Sequence, residues 1–292
     1  MNQENIVRID ALMPPEMAER AEAIGIRKAH LDFMTTFGLA VLAGAFIALG
    51  AIFATTVIAG AGDKLTYGVT RLLAGLVFSL GLILVIVGGA ELFTGNNLIV
   101  MAWASRRIST RSVLRNWVIV YLGNFVGAIL TVGLSFFSGQ YLQGSGAVGL
   151  SALNTASAKV SLNFIQAVSL GVLCNTLVCL AVWLTYSARS TADRILAIIP
   201  PISAFVAAGY EHSVANMYFI PMGLAIKYFA PQSFWLAIGK SAGDYANLTW
   251  ERFLLNNLLP VTIGNIIGGA VLVGVVYWFI YLRKKTALSK AA

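Results

Sequence analysis

Polar residues are so sparse along this chain that the apolar runs between them define its elements. Runs near residues 33–59, 72–104, 113–138, 161–187, 195–226 and 254–282 each exceed the roughly 20 apolar residues a helix needs to cross the hydrocarbon core. The runs are Gly-rich and show no alternation of apolar and polar positions, so a β-barrel is excluded. The pattern predicts an all-α membrane protein of six transmembrane helices, with a channel domain over 33–282. Residues 1–32 form an N-terminal segment ahead of it, and residues 283–292 a basic tail.

Spans two and five are too long for simple crossings. As one straight helix, residues 72–104 would run about 50 Å at about 1.5 Å per residue, against a core of about 30 Å. Each carries a polar cluster near its middle: Glu91-Leu92-Phe93-Thr94-Gly95-Asn96 in span two and Glu211-His212-Ser213-Val214-Ala215-Asn216 in span five. The economical reading is a pair of broken helices, with Glu91, Gly95, Asn96 and Asn216 at the breaks and unwound backbone lining a cavity. A continuous helix that tilts and protrudes is the alternative.

The same clusters expose a repeat. Gly123-Asn124-x-x-Gly127 in span three returns as Gly264-Asn265-x-x-Gly268 in span six, and both clusters place an amide five residues after an acid. Three spans per half put the second half (about 161–282) upside down relative to the first (about 33–138), which is an inverted repeat.

Composition supports a membrane location. Hydrophobic residues make up 58% of the 292 and charged residues only 11%, against about 25% charged in a soluble domain. The first 32 residues hold six acids and no apolar signal-like core, so they are not a secretory leader. Pro14 to Leu31 reads as a surface helix with Met17, Ala21 and Ile24 on one face, or as a solvated cap. The net charge of +8 resides in loops beside the spans, so it is not a nucleic-acid footprint. Fourteen Lys and Arg fall on one side of the spans and six on the other, which places both termini in the cytoplasm. Cys174 and Cys179 lie five apart in one apolar span and read as core residues, and no metal or cofactor pattern is present.

Ionisable groups at membrane depth cost about 2.5–3.5 kcal/mol each on insertion scales and are functional candidates by default. Here they are Glu91, Glu211 and His212, with Lys159 just before span four. The two acids could equally hydrogen-bond unwound backbone, and His212 could be a buried structural residue. There is no Asn-Pro for an aquaporin pair, and the core holds one histidine where ammonium channels use two. A His-Glu-x-x-His helix is absent, and Ser213 neighbours His212 but points away from it on a helix, so enzymatic chemistry is not indicated.

Glu91-Leu-Phe-Thr94-Gly, Gly209-Tyr-Glu211-His212-Ser-Val-Ala-Asn216-Met, Ile220-Pro-Met-Gly223 and the Gly-Asn-Ile-Ile-Gly-Gly of span six resemble the formate/nitrite transporter family, from about Leu12 to Arg283. Ser79-Leu-Gly-Leu-Ile-Leu84 and Pro260-Val-Thr-Ile-Gly264 are similar to its formate-channel branch. The resemblance implies an aquaporin-like protomer in a homopentamer of the bacterial inner membrane, with one pore per subunit. It further implies that Phe78, Leu82 and Phe205 narrow the pore. Thr94 and His212 would be its polar contacts, and Lys159, Asn175 and Glu211 polar partners near the entrance and the second break. Gly95-Asn96-Asn97 departs from formate channels, in which small hydroxyl residues follow the threonine, so nitrite and hydrosulfide stand beside formate as substrates. A non-transporting membrane scaffold is the alternative of a different class.

An anion passing Phe and Leu loses its hydration with little return. It can bond to Thr94, His212 and backbone amides at helix ends, or cross as the neutral acid. With a carboxylic pKa of about 4, about one molecule in a thousand is neutral at pH 7, and a low-dielectric pore favours that form. Lys159 would concentrate anions at the mouth, and His212 or water would supply the proton. Proton-coupled passage is therefore expected.

Overall fold

The computed structural model describes residues 11–283. The N-terminal acids Glu4 and Asp10 and the basic tail after Arg283 lie outside the described residues. Those described are helical, with no strand among them.

Helix α1 (Pro14–His30) is followed at once by α2 (Phe33–Ile58), whose N-cap Asp32 accepts a hydrogen bond from the Thr35 N–H at 2.9 Å. Next come α3 (Tyr67–Gly88), a tight 3₁₀ turn over Gly95–Ile99 that continues into the short α4 (Val100–Ala104), and α5 (Thr110–Phe137). The second half repeats the order. It runs through α6 (Ala147–Val160), α7 (Phe164–Ser187), α8 (Thr191–Ala207), α9 (Ser213–Phe229), a short α10 (Gln232–Ile238) and α11 (Arg252–Tyr281). Five of these helices (α2, α3, α5, α7 and α11) are long and apolar enough to cross a membrane, while α8 and α9, at 17 residues each, are not by themselves.

Two features differ from the sequence expectation. The stretch between spans three and four, read as a loop, contains the 14-residue helix α6, whose last turn carries Lys159. Its apolar residues mix with Ser, Thr and Asn, so no long hydrophobic run announces it. The N-terminal helix is also no solvated cap. Met17, Ala18 and Ala21 are buried in one cluster with Leu98, Met101, Cys179, Val182 and Trp183. Ile24 packs partly against that cluster, and the face as read therefore exists.

Close helix approach holds each half together. A side chain on Gly127 of α5 would strike the carbonyl oxygen of Val41 on α2, and one on Gly268 of α11 would strike that of Val172 on α7. The outer surface is apolar. Leu114, Val118, Leu122, Val126, Leu130 and Leu134 are exposed at four-residue spacing down α5, a face suited to lipid and not to water.

Candidate permeation site

Both long apolar runs leave the helix where their polar clusters begin. The first break starts at Gly89, whose φ of +78° is the left-handed conformation that only glycine adopts freely, and the second at Gly209, with φ +75°. These two glycines end their helices, whereas Gly95 has ordinary backbone and a Cβ there would meet only Val182, at 3.5 Å. Gly95 is thus not the conformational hinge that its place in the motif suggested. Its counterpart 120 residues on is Ala215.

Unwound backbone inside a membrane protein must find partners elsewhere. Here one asparagine serves each break. The Asn124 amide accepts from the Phe93 N–H at 2.9 Å and donates to the carbonyls of Glu91 at 2.9 Å and Ala40 at 2.7 Å. Asn265 accepts from the Ser213 N–H at 2.9 Å and donates to the carbonyls of Glu211 at 3.0 Å and Gly171 at 2.9 Å. Both side chains are fully buried, with all the described bonds made.

The acids are clamped in the same duplicated manner. Glu91 pairs with Lys28 at 3.0 Å and accepts from Asn96 at 2.7 Å, and Asn96 also donates to Asn116. Glu211 pairs with Lys159 at 2.7 Å and accepts from Asn216 at 2.7 Å, and Asn216 also donates to Asn257. Each second asparagine then donates to the main-chain carbonyl of its half's lysine, Asn116 to Lys28 and Asn257 to Lys159. Neither carboxylate is left as an isolated charge, the arrangement a buried ion requires.

The sequence pointed to Lys159 and missed Lys28, Asn116 and Asn257. A signal existed. Lys28 and Lys159 are 131 positions apart, as are the cap residues Asp32 and Asn163, while Asn116 and Asn257 share the 141-residue offset of Asn124 and Asn265. The matched spacings therefore start at α1 and α6, one element before the long apolar runs that drew attention.

Positions 92–95 of the first cluster differ from 212–215 of the second. Thr94 corresponds to Val214, and His212 to Leu92, each pair 120 apart. The two polar members meet: the Thr94 hydroxyl lies 2.9 Å from His212 Nε2. His212 Nδ1 accepts the Ala215 N–H at 3.0 Å and so caps α9. A nitrogen that accepts carries no proton, so the neutral ring is protonated on Nε2 and donates to Thr94 Oγ1. That leaves the Thr94 O–H free to donate to a third group. His212 makes no bond to Ser213, whose buried hydroxyl has no hydrogen-bond partner among the described residues.

Two cavities approach this pair from opposite ends. One, of about 470 Å³, is lined by Leu82, Leu92, Gly95 and Glu91 together with α1 residues. The other, of about 430 Å³, is lined by Phe78, Phe205, His212, Glu211 and Lys159. The rings of Phe78 and Phe205 stand edge to face 5.7 Å apart, and Phe205 stacks on the His212 ring at 5.9 Å. Leu82, one helical turn beyond Phe78 on α3, faces the first cavity. The apolar residues thus lie where the cavities approach each other, and Thr94, Phe78, Leu82, Phe205 and His212 are all buried.

Asn175 is placed differently from the expectation. It lies not beside Lys159 or Glu211 but behind the first break, where its amide donates to the carbonyls of Thr94 and Asn265 and to the side chain of Asn97. Cys179, one turn along α7, adds a thiol bond to the Thr94 carbonyl at 3.3 Å. Both residues hold the Thr94 backbone and line neither cavity.

A family model, formate/nitrite transporter, matches residues 15–279. The chain belongs to the formate/nitrite transporter family. Among relatives, the formate channel FocA of Escherichia coli strain K12 is 49% identical over 275 residues, which are 94% of this chain and 96% of that one. FocA of Haemophilus influenzae is 44% identical, with 91% and 93% covered. A solved structure described as a pentameric formate channel with formate bound superposes with a TM-score of 0.82 at 48% identity, covering 86% of this chain and 98% of its own. Like other members of this transporter family, the chain is a multi-pass membrane protein and not an enzyme.

Proposed function

We propose that this protein is a channel for formate that moves the anion together with a proton or as the neutral acid. The observation that carries this reading is the Thr94–His212 contact, which offers one free hydroxyl donor buried between a cavity lined by Leu92 and Gly95 and a second lined by His212. A monocarboxylate has the size and the acceptor atoms for such a donor, and its protonated form avoids the desolvation that stops a permanent ion. The formate channels among its relatives, at 35–49% identity, support the substrate assignment.

In this reading the protomer has six spans, with α8 and α9 together forming the fifth and α3 with the turn and α4 forming the second. The matched clamps around Glu91 and Glu211 support an inverted, aquaporin-like repeat over halves of three spans. Phe78, Leu82 and Phe205 form the apolar barrier. Glu91, Asn96, Glu211 and Asn216 shape the breaks, with Lys28 and Lys159 balancing the two acids where they line the cavities. The protein assembles as a pentamer in the cytoplasmic membrane of a bacterium, both termini inside, as the Lys and Arg bias of the loops supports.

The proton need not come from His212. A second proton on that ring can only go to Nδ1, and there it would displace the Ala215 N–H that caps α9. Water in the cavities is the better source, with His212 as the fixed donor that turns the Thr94 hydroxyl toward the substrate.

Uptake of labelled formate into liposomes tests the proposal. Flux well above that of protein-free liposomes, with competition by nitrite and hydrosulfide weaker than by unlabelled formate, is the expected result. No flux in correctly assembled protein would leave the scaffold alternative standing.

A further inference from the structure

The two cavities differ in charge. Glu91 is balanced by Lys28 in the first and Glu211 by Lys159 in the second, and once these pairs are set aside the remaining cations are unequal. Among the described residues, the first cavity retains Arg20, Arg27 and Arg194, and the second retains Arg71 alone. Arg71 is also spent on structure, since its guanidinium donates to the carbonyls of Val206 and Ala207 at the end of α8.

The excess has a source in the helix pattern. Arg20 and Arg27 are seven residues apart on α1, two turns along one face, and the buried Ala21 and Gly25 press that helix over the cavity. Arg194 reaches the same space from the first turn of α8. Arg20 donates to the Tyr186 carbonyl at 3.0 Å. The guanidinium groups of Arg27 and Arg194 make no hydrogen bond or ion pair with the described residues, and among those residues the only carboxylate lining the cavity is the one already paired.

We propose that the cavity beneath α1 is a binding site for a small soluble anion of charge two or three, such as a tricarboxylate or pyrophosphate, which blocks the pore from that side only. The inference rests on the channel reading above. A potential acts in proportion to valence: one that enriches a monovalent anion about 3-fold enriches a trivalent anion about 27-fold. The cavity volume of about 470 Å³ admits such a molecule, and the planar forks of Arg27 and Arg194 suit carboxylate or phosphate oxygens. Further travel meets Leu82 and Leu92, where an ion of that charge cannot shed its water. It therefore stays, and a monovalent substrate waits behind it.

The test uses full-length protein, reconstituted in one orientation in liposomes and also in detergent, with citrate as the probe. Citrate on the α1 side should reduce labelled-formate flux, and citrate on the opposite side at the same concentration should not. In Arg27→Gln/Arg194→Gln the half-blocking concentration, measured relative to that variant's own unblocked flux, should rise at least tenfold. Calorimetric titration of citrate onto the detergent-solubilised protein should show the same loss of affinity between wild type and variant, with gel filtration confirming the assembly of both. Because this arm needs no flux, citrate binding without labelled-formate flux would sink the channel reading and leave the site. Equal block from both sides, or block undiminished in the variant, would overturn the site while leaving the channel intact. Lipid headgroups carry the same phosphate chemistry, so the titration is repeated in nanodiscs of phosphatidylcholine with and without phosphatidylglycerol. Unchanged citrate affinity supports a soluble ligand, and its abolition by the anionic lipid would overturn that assignment.

Discussion

The two helix breaks share a scaffold and differ in chemistry. Each has a left-handed glycine, a Lys–Glu–Asn–Asn cluster and a buried asparagine that pins the unwound backbone. Four positions of the two clusters break the match, and two of the side chains that differ, Thr94 (against Val214) and His212 (against Leu92), bond to each other. What occurs twice is thereby identified with holding the backbone open. What occurs once, across the join of the halves, is the candidate for handling substrate.

The comparison can be broken most severely at its shared elements. Asn124→Leu and Asn265→Leu each strand buried backbone groups at about 1–3 kcal/mol apiece. Both variants should fail to assemble, to similar extents, by detergent gel filtration. A marked difference between them would show that the breaks are not equivalent. Next in size, Glu91→Gln and Glu211→Gln leave Lys28 or Lys159 with a neutral partner inside the protein. Loss of one member of a buried pair typically costs about 3–5 kcal/mol. Each should lower the apparent melting temperature of the solubilised protein, and Lys28→Met combined with Glu91→Gln should recover part of the loss.

Smaller effects separate barrier from scaffold. Leu82→Ala or Phe78→Ala removes apolar bulk between the cavities and should admit chloride, read by a chloride-sensitive dye in liposomes, while assembly persists. Chloride exclusion that survives in a folded Phe78→Ala/Leu82→Ala variant would put the barrier elsewhere. Smallest of all, Gly95→Ala should be nearly silent in thermal stability, because its Cβ meets only Val182 at ordinary contact distance. Gly89→Ala, at positive φ, should cost about 1 kcal/mol or more.

Much of this was legible in the sequence. Polar residues inside runs too long for one crossing marked both breaks, because hydrocarbon makes such residues conspicuous. The Gly-Asn-x-x-Gly repeat marked the close packing of α5 on α2 and of α11 on α7. What escaped lies at the ends of the repeat, where the environment is half aqueous and polarity carries no penalty to notice. Lys28 sits on an amphipathic helix among other charges, and α6 mixes apolar with hydroxyl and amide residues. Asn175 was visible as an amide in an apolar span, but its destination behind Thr94 depends on helix packing that one-dimensional spacing does not specify. Gly209 stood in a quoted motif, but Gly89 lies two residues before the quoted Glu91, and Gly95 drew the attention that belonged to it.

His212 separates two versions of the mechanism. If the ring only positions Thr94, His212→Asn should keep the shape of the formate flux profile between about pH 5 and 8, with a reduced height. If it carries the proton, the profile should flatten. The Nδ1 cap on α9 favours the first outcome.

Proton coupling itself is tested most directly by measuring formate and protons together in tight liposomes. A pH dye is trapped inside, and an outside formate pulse is given with and without valinomycin in symmetric potassium. Passage as the neutral acid predicts lumenal acidification in step with formate entry, about one proton per formate, at a rate indifferent to valinomycin and well above that of protein-free liposomes. Formate entry that needs valinomycin to proceed and leaves the lumenal pH unmoved would show that the bare anion crosses, and would contradict the account.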